Sequence, residues 1–141
     1  MTSHLRVMVL DDEPIVGRRL KPALEKMGLE VEVFEDPAEA LARAGGTRFD
    51  IVVTDIRMRG IDGLEVLRRI RAASGRTKVI LITGHASEDM AREALTQGAF
   101  GFIAKPFKTD QVRALVDAAA RALADRPGTE GEETTDVVAD P

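Results

Sequence analysis

Four apolar runs, spread along the chain, each stop at residues that can handle charge. Val7-Met8-Val9-Leu10 leads into Asp11 and Asp12, and Ile51-Val52-Val53-Thr54 leads into Asp55. Val79-Ile80-Leu81-Ile82 leads into Thr83 and Gly84, and Phe100-Gly101-Phe102-Ile103-Ala104 leads into Lys105 and Pro106. Unbroken apolar runs of this length suit strands buried on both faces, the signature of a parallel sheet covered by helices. Open sheets of that kind gather their ligands beyond the carboxyl ends of the strands. The pattern therefore predicts three carboxylates, one hydroxyl and one ammonium at one edge of one sheet.

Helical spacing fills the intervals. Val16, Leu20, Ala23, Leu24 and Met27 repeat at helical spacing up to Gly28, with Pro14 suited to the first turn and Pro22 expected to bend the helix. Glu30–Phe34 alternates as a strand. Asp36-Pro37 reads as cap and first turn of a helix to about Ala44, closed by Gly45-Gly46. A helix from about Gly63 should end at Ser74-Gly75, and Ser87 should cap another that stops at Gly98. Val112, Leu115, Val116, Ala119 and Leu123 mark the last helix. Five strands alternating with five helices predict a single doubly wound α/β domain with right-handed crossovers.

Composition excludes several classes of function. The 141 residues suffice for one domain with a core, and none is cysteine, so disulfides and thiolate metal sites are ruled out. Residues 126–141 hold one arginine against five acids, which accounts for the whole net charge of −4. A neutral body with an acidic tail lacks the basic footprint of nucleic-acid binding. No apolar run approaches the roughly 18 residues of a membrane span, and residues 1–10 lack a signal-peptide pattern. The expected location is cytoplasmic. Residues 1–4 read as a disordered start, 5–124 as the domain and 125–141 as a disordered tail or linker stub.

The strand-end residues suit phosphoryl chemistry. Helix capping is the competing role for Asp11 and Asp12, and one of them is expected to cap to some extent. Two adjacent acids beside Asp55 nevertheless repel one another, a penalty that a hard cation such as Mg²⁺ removes. Asp55 can attack phosphorus to form an acyl phosphate if the incoming charge is neutralised. Thr83 can donate to one phosphoryl oxygen, Lys105 can supply charge to another, and Gly84 leaves room. Phosphorylation adds nearly two charges beside Thr83, so a hydroxyl drawn toward them would vacate space for an aromatic such as Phe102. Permanent burial of Phe102 in the core is the alternative.

In this order, Asp11-Asp12, Asp55 with Gly63, Thr83-Gly84, and Phe102 with Lys105-Pro106 resemble the receiver domains of two-component response regulators over about residues 5–124. The resemblance implies a flavodoxin-like sheet of order 2-1-3-4-5 and phosphoryl transfer from the phosphohistidine of a sensor kinase or phosphotransfer protein to Asp55. It implies Mg²⁺ (or Mn²⁺) held by Asp12, Asp55 and the backbone carbonyl of Arg57, with Asp11 acting through a metal-bound water. Thr83 and Phe102 become the switch pair, and Lys105 the phosphoryl-binding cation, with a cis bond expected before Pro106. The changing surface would involve the fourth helix, fifth strand and fifth helix, where homodimers also form. Beyond self-phosphorylation and autodephosphorylation, no enzymatic activity is implied. Output would pass to a partner protein or to an effector region outside this sequence.

Some residues depart from the resemblance. Arg59 stands where these domains usually carry proline, which would loosen the loop and add charge. Arg57 and His85 are expected to govern attacking water and hence acyl-phosphate lifetime, whereas His4 has no assignable role. A haloacid-dehalogenase-type phosphatase would need a second aspartate where Arg57 stands. A flavin carrier would need a phosphate-cradling loop in place of Asp11-Asp12-Glu13. A receiver fold used only as a fixed interaction module is the third alternative.

Overall fold

A computed structural model describes residues 4–84 and 88–124. The chain order is β1 (Arg6–Leu10), α1 (Pro14–Glu25), β2 (Glu30–Phe34), α2 (Pro37–Gly46), β3 (Ile51–Asp55), α3 (Gly63–Ala73), β4 (Lys78–Thr83), α4 (Glu88–Thr96), β5 (Gly101–Ala104) and α5 (Thr109–Ala124). All five strands pair in parallel, in the order β2-β1-β3-β4-β5. β1 lies between β2 and β3, and its residues Val7, Met8, Val9 and Leu10 are paired on both sides. The order thus reverses at β1, and such a switch point opens a crevice at the carboxyl edge.

Side-chain alternation splits the core in two. Val7, Val9, Ile51, Val53, Ile80 and Ile82 face α1 and α5, where Val16, Leu20, Val112 and Val116 meet them. Met8, Leu10, Val52, Val79 and Leu81 face α2, α3 and α4, meeting Ala40, Val66, Leu67, Ile70 and Ala94. Each of these larger aliphatic side chains contributes about 1.5–3 kcal/mol on full burial. Register then fixes the functional edge. Leu10 pairs with Thr54, Asp55 with Ile82, and Thr83 with Ala104. The residues at or just past the four strand ends therefore line up across the sheet.

Local signals explain most boundaries. Asp36 caps α2 by accepting from the Ala38 amide (3.2 Å), and Asp62 caps α3 by accepting from Glu65 (3.0 Å). Contrary to the sequence expectation, α2 takes in both Gly45 and Gly46. It ends where Thr47 turns extended and its amide bonds to the Arg43 carbonyl. Both glycines lie exposed with nothing near their Cβ positions, so the helix meets no obstacle there. The last turn of α1 includes Pro22, whose carbonyl accepts from Lys26 as the helix closes. β5 begins at Gly101 rather than Phe100, although the Phe100 amide already bonds to the Val79 carbonyl (2.7 Å). Neither Asp11 nor Asp12 occupies the cap of α1. Glu13 does, because the chain turns helical only at Pro14. Ser87, His85, the first three residues and the tail lie outside the described residues.

A close approach that hydrophobic patterning misses lies between α1 and β2. A Cβ on Gly17 would fall 2.3 Å from Cγ1 of Val33. Gly17→Ala is expected to lower the melting temperature even though alanine favours a helix interior by about 1 kcal/mol. Combining it with Val33→Ala should cost less than the two single changes added together. Thermal melts of the four proteins test this; additive losses would show that the contact is not the cause.

Candidate functional site

The carboxylates come first, because burial sets their chemistry. Asp11 (2% exposed) and Asp55 (5% exposed) lie at the ends of β1 and β3, while Asp12 is half-buried. One carboxylate oxygen from each of the three lies within 4.8 Å of the others. Asp11 Oδ1 accepts the Glu13 amide (2.9 Å). Asp11 Oδ2 is buried and forms an ion pair with Lys105 at 3.0 Å, but that contact lacks hydrogen-bond alignment, leaving the oxygen without a hydrogen bond. Asp12 Oδ2 accepts the Arg59 amide (3.3 Å). Proline could not supply that donor, so the departure at residue 59 ties the β3–α3 loop to the acidic pair.

Burial raises the Asp55 carboxyl above its ordinary range, against the lowering effects of the Lys105 charge and of hydrogen bonds from Lys105, Arg57 and Ile56. Asp11 is raised mainly by burial as well, and the Asp55 charge adds to the effect. For Lys105, burial disfavours the ammonium. The hydrogen bond to Glu13, the close Asp11 carboxylate and the Asp55 charge outweigh that and hold it well above its usual range. One ammonium thus serves three carboxylates, with Nζ 2.8 Å from Glu13 Oε1, 3.0 Å from Asp11 Oδ2 and 3.4 Å from Asp55 Oδ2. A buried carboxylate oxygen without a hydrogen bond, among hard oxygen donors, fits a divalent cation of the Mg²⁺ type.

The remaining residues lie at the same edge. Thr83 is fully buried at the end of β4, and its carbonyl accepts the Lys105 amide (2.8 Å). Gly84 is exposed, and among the described residues a Cβ there would meet only Lys105 Cβ, at an ordinary 3.8 Å. The Lys105–Pro106 bond is cis, as expected. Phe102 is half-buried and packs against the α2–α4 side of the core. Arg57 is exposed on the loop after β3. Beside Asp12 an open cleft of about 550 Å³ runs from that loop to Met90 of α4.

Glu13 escaped the sequence reading, and Gly63 entered it only as a helix start and as part of the pattern with Asp55. Glu13 binds Lys105 more closely than either aspartate does. Its only sequence signal was its place as third acid in Asp11-Asp12-Glu13. Gly63 packs so tightly that a Cβ would fall 2.2 Å from the Asp55 carbonyl oxygen and 2.7 Å from Ile56 Cα. Its amide donates to the Ile56 carbonyl (2.8 Å), so the start of α3 braces the end of β3.

The family model for the response regulator receiver domain matches residues 7–117. The chain belongs to the response regulator receiver domain family. Members are the phosphorylation-switched signal receivers of two-component systems, and this receiver is one of them. It is 35% identical over 121 residues to the transcriptional regulatory protein FixJ of Bradyrhizobium diazoefficiens, covering 86% of this chain and 59% of that protein. It is 39% identical over 113 residues to the DNA-binding transcriptional regulator NtrC of Escherichia coli, covering 80% of this chain and 24% of that one. The receiver therefore spans between about a quarter and three-fifths of these relatives' lengths. Among solved structures, it matches the beryllofluoride-activated NtrC4 receiver domain dimer with TM-score 0.79 and 31% identity, covering 84% of this chain and 98% of that one. The chemotaxis protein CheY4 of Vibrio cholerae matches with TM-score 0.77 and 28% identity, covering 83% and 99%. Among the described residues, no helix of the receiver is long and apolar enough to cross a membrane.

Proposed function

We propose that Asp55 is the phosphoacceptor of this receiver. The observation that carries the assignment is the meeting of Asp11, Asp12 and Asp55 within 4.8 Å, with the Lys105 ammonium 3.4 Å from Asp55. An Asp55 carboxylate oxygen attacks phosphorus, the bond to the donor's imidazole nitrogen breaks, and an acyl phosphate forms. Lys105 takes a phosphoryl oxygen, and the Thr83 hydroxyl takes another. Asp12, Asp55 and the Arg57 carbonyl would hold Mg²⁺ or Mn²⁺, and Asp11 would contribute through a bound water. The cation there supplies positive charge against the carboxylates and the phosphoryl oxygens. The chain turns over no separate substrate. It modifies itself and later hydrolyses the acyl phosphate.

Thr83 and Phe102 form the switch, changing the surface made by α4, β5 and α5. The donor is a sensor histidine kinase or phosphotransfer protein in the cytoplasm. Output passes through homodimerisation on that surface, a partner protein or an effector region, and residues 5–124 form the switching unit. Because the chain carries no basic footprint of its own, nucleic acid is reached only through such an effector. Support for this reading comes from the convergence of charge at a sheet edge that has no packing reason to hold it.

Intact-mass measurement after incubation with acetyl phosphate and Mg²⁺ tests the assignment. Wild type should gain one phosphoryl group, while Asp55→Asn and wild type in excess chelator should gain none. An adduct that survives in Asp55→Asn would place the nucleophile elsewhere. No adduct on wild type from either acetyl phosphate or phosphoramidate would favour a fixed interaction module.

A further inference from the structure

Glu13 occupies the cap position of α1, yet its side chain makes no capping bond. It reaches instead to Lys105, at 2.8 Å the shortest of that ammonium's three carboxylate contacts. The three partners differ in kind. Asp11 and Asp55 are buried members of the acidic cluster, whereas the Glu13 side chain is 61% exposed and stands outside it. We infer that Glu13 is a positioning residue that competes with the phosphoryl group for Lys105 and so sets how readily the site accepts phosphate.

The inference rests on the phosphoryl role proposed for Lys105. An ammonium has three donors and no preferred plane, so it can exchange one oxygen partner for another. For Lys105 to serve a phosphoryl oxygen, it must release or share a carboxylate. Glu13 is the partner best able to be released, because water can solvate its carboxylate when the contact opens. Asp11 and Asp55 have no such access. The charged contact gives the acid at this cap position a role that a capping serine or threonine would not fill. In this arrangement the Lys105 ammonium is engaged with Glu13, and phosphorylation has to displace that contact.

Two substitutions separate this role from simple repulsion of an anionic donor. Glu13→Gln removes the charge, while Glu13→Asp keeps it but is one methylene too short for the 2.8 Å contact. Competition for Lys105 predicts that both raise the rate of uptake from acetyl phosphate at saturating Mg²⁺, by about two- to fivefold, the range of an exposed ion pair. Both should also tighten beryllofluoride binding by a similar factor, read by titration. Acceleration by Gln alone would mean that Glu13 acts by repulsion and would overturn the inference. So would a slower rate in either variant, which would mean that Glu13 orients Lys105 productively, or no change in both. If wild type itself takes up no phosphoryl group, the receiver chemistry fails first and this inference falls with it. Wild-type uptake with unaltered variants would refute the inference alone.

Discussion

Asp11→Asn is expected to melt higher than wild type in the absence of metal, by about 1–2 kcal/mol or roughly 3–8 °C for a domain of this size. Asp11 and Asp55 are both buried, both raised in pKa, and share one ammonium. A carboxyl whose folded pKa lies above its unfolded value stabilises the fold below the unfolded pKa. That contribution disappears as pH rises through the folded value. At neutral pH the ionised pair therefore works against folding, and asparagine at residue 11 removes half of it. The amide oxygen can still accept the Glu13 N–H that Asp11 Oδ1 holds. The loss of the Lys105 ion pair opposes this gain, but burial outweighs Lys105 in setting the Asp11 pKa, which gives the sign.

Two further results follow from the same cause. Mg²⁺ should raise the wild-type melting temperature, and most of that response should be missing in Asp11→Asn. The advantage of the variant over metal-free wild type should shrink as pH falls from 7 into the carboxylate range, where wild type sheds the same charge by protonation. Melts in chelator and in Mg²⁺ between pH 5 and 8 provide the check. A variant that melts below wild type without metal would mean that the ion pair to Lys105, rather than burial, dominates at Asp11.

Gly63→Ala should have the larger effect on stability. Helix propensity favours the change by about 1 kcal/mol, since alanine is the better helix former. The new Cβ, however, would fall 2.2 Å from the Asp55 carbonyl oxygen and 2.7 Å from Ile56 Cα. Both are backbone atoms, which cannot rotate away as a side-chain end can. Relief requires α3 to lift from β3, which weakens the Gly63–Ile56 hydrogen bond and shifts the segment that carries Asp55. A net loss of about 3 kcal/mol is expected, at the upper end of overpacking costs. Mg²⁺ affinity should fall as well in whatever fraction remains folded.

Two alanine controls isolate the contact. Among the described residues, Gly84→Ala meets only Lys105 Cβ, at 3.8 Å, and should be close to neutral. Gly45→Ala, on an open helical position of α2, should stabilise by about 0.5–1 kcal/mol. Denaturant melts of the three variants decide the matter. If Gly63→Ala melts with Gly84→Ala, the start of α3 is not braced against β3 as described.

The strands were legible because a buried parallel strand leaves a continuous apolar run, and the run's end marks the edge where charge collects. Asp11, Asp12, Asp55, Thr83 and Lys105 could all be located in this way. What stayed hidden depends on contacts between segments far apart in sequence. Gly17 looks like an ordinary weak helix position until Val33 is placed against it. Glu13 looks like one more acid in a solvated turn until Lys105, 92 residues later, is brought to it. The Arg59 amide has no sequence signature as a donor to Asp12, because any residue except proline would offer the same N–H. The end of α2 was misplaced for the opposite reason. Paired glycines signal termination locally, but no competing structure claims Gly45 and Gly46, and the helix simply continues.

The division of the core by the sheet bears on how such a protein can diversify. Phe102 and Ile103 are neighbours in β5, yet Phe102 packs with α2–α4 and Ile103 with α1 and α5. The two sets of side chains meet only across a hydrogen-bonded backbone. Sequence drift on one face therefore imposes little repacking on the other, provided the strands keep their register. A lineage can repack the α2–α4 side while the α1–α5 side keeps its packing, and the strand-end chemistry between them stays in place.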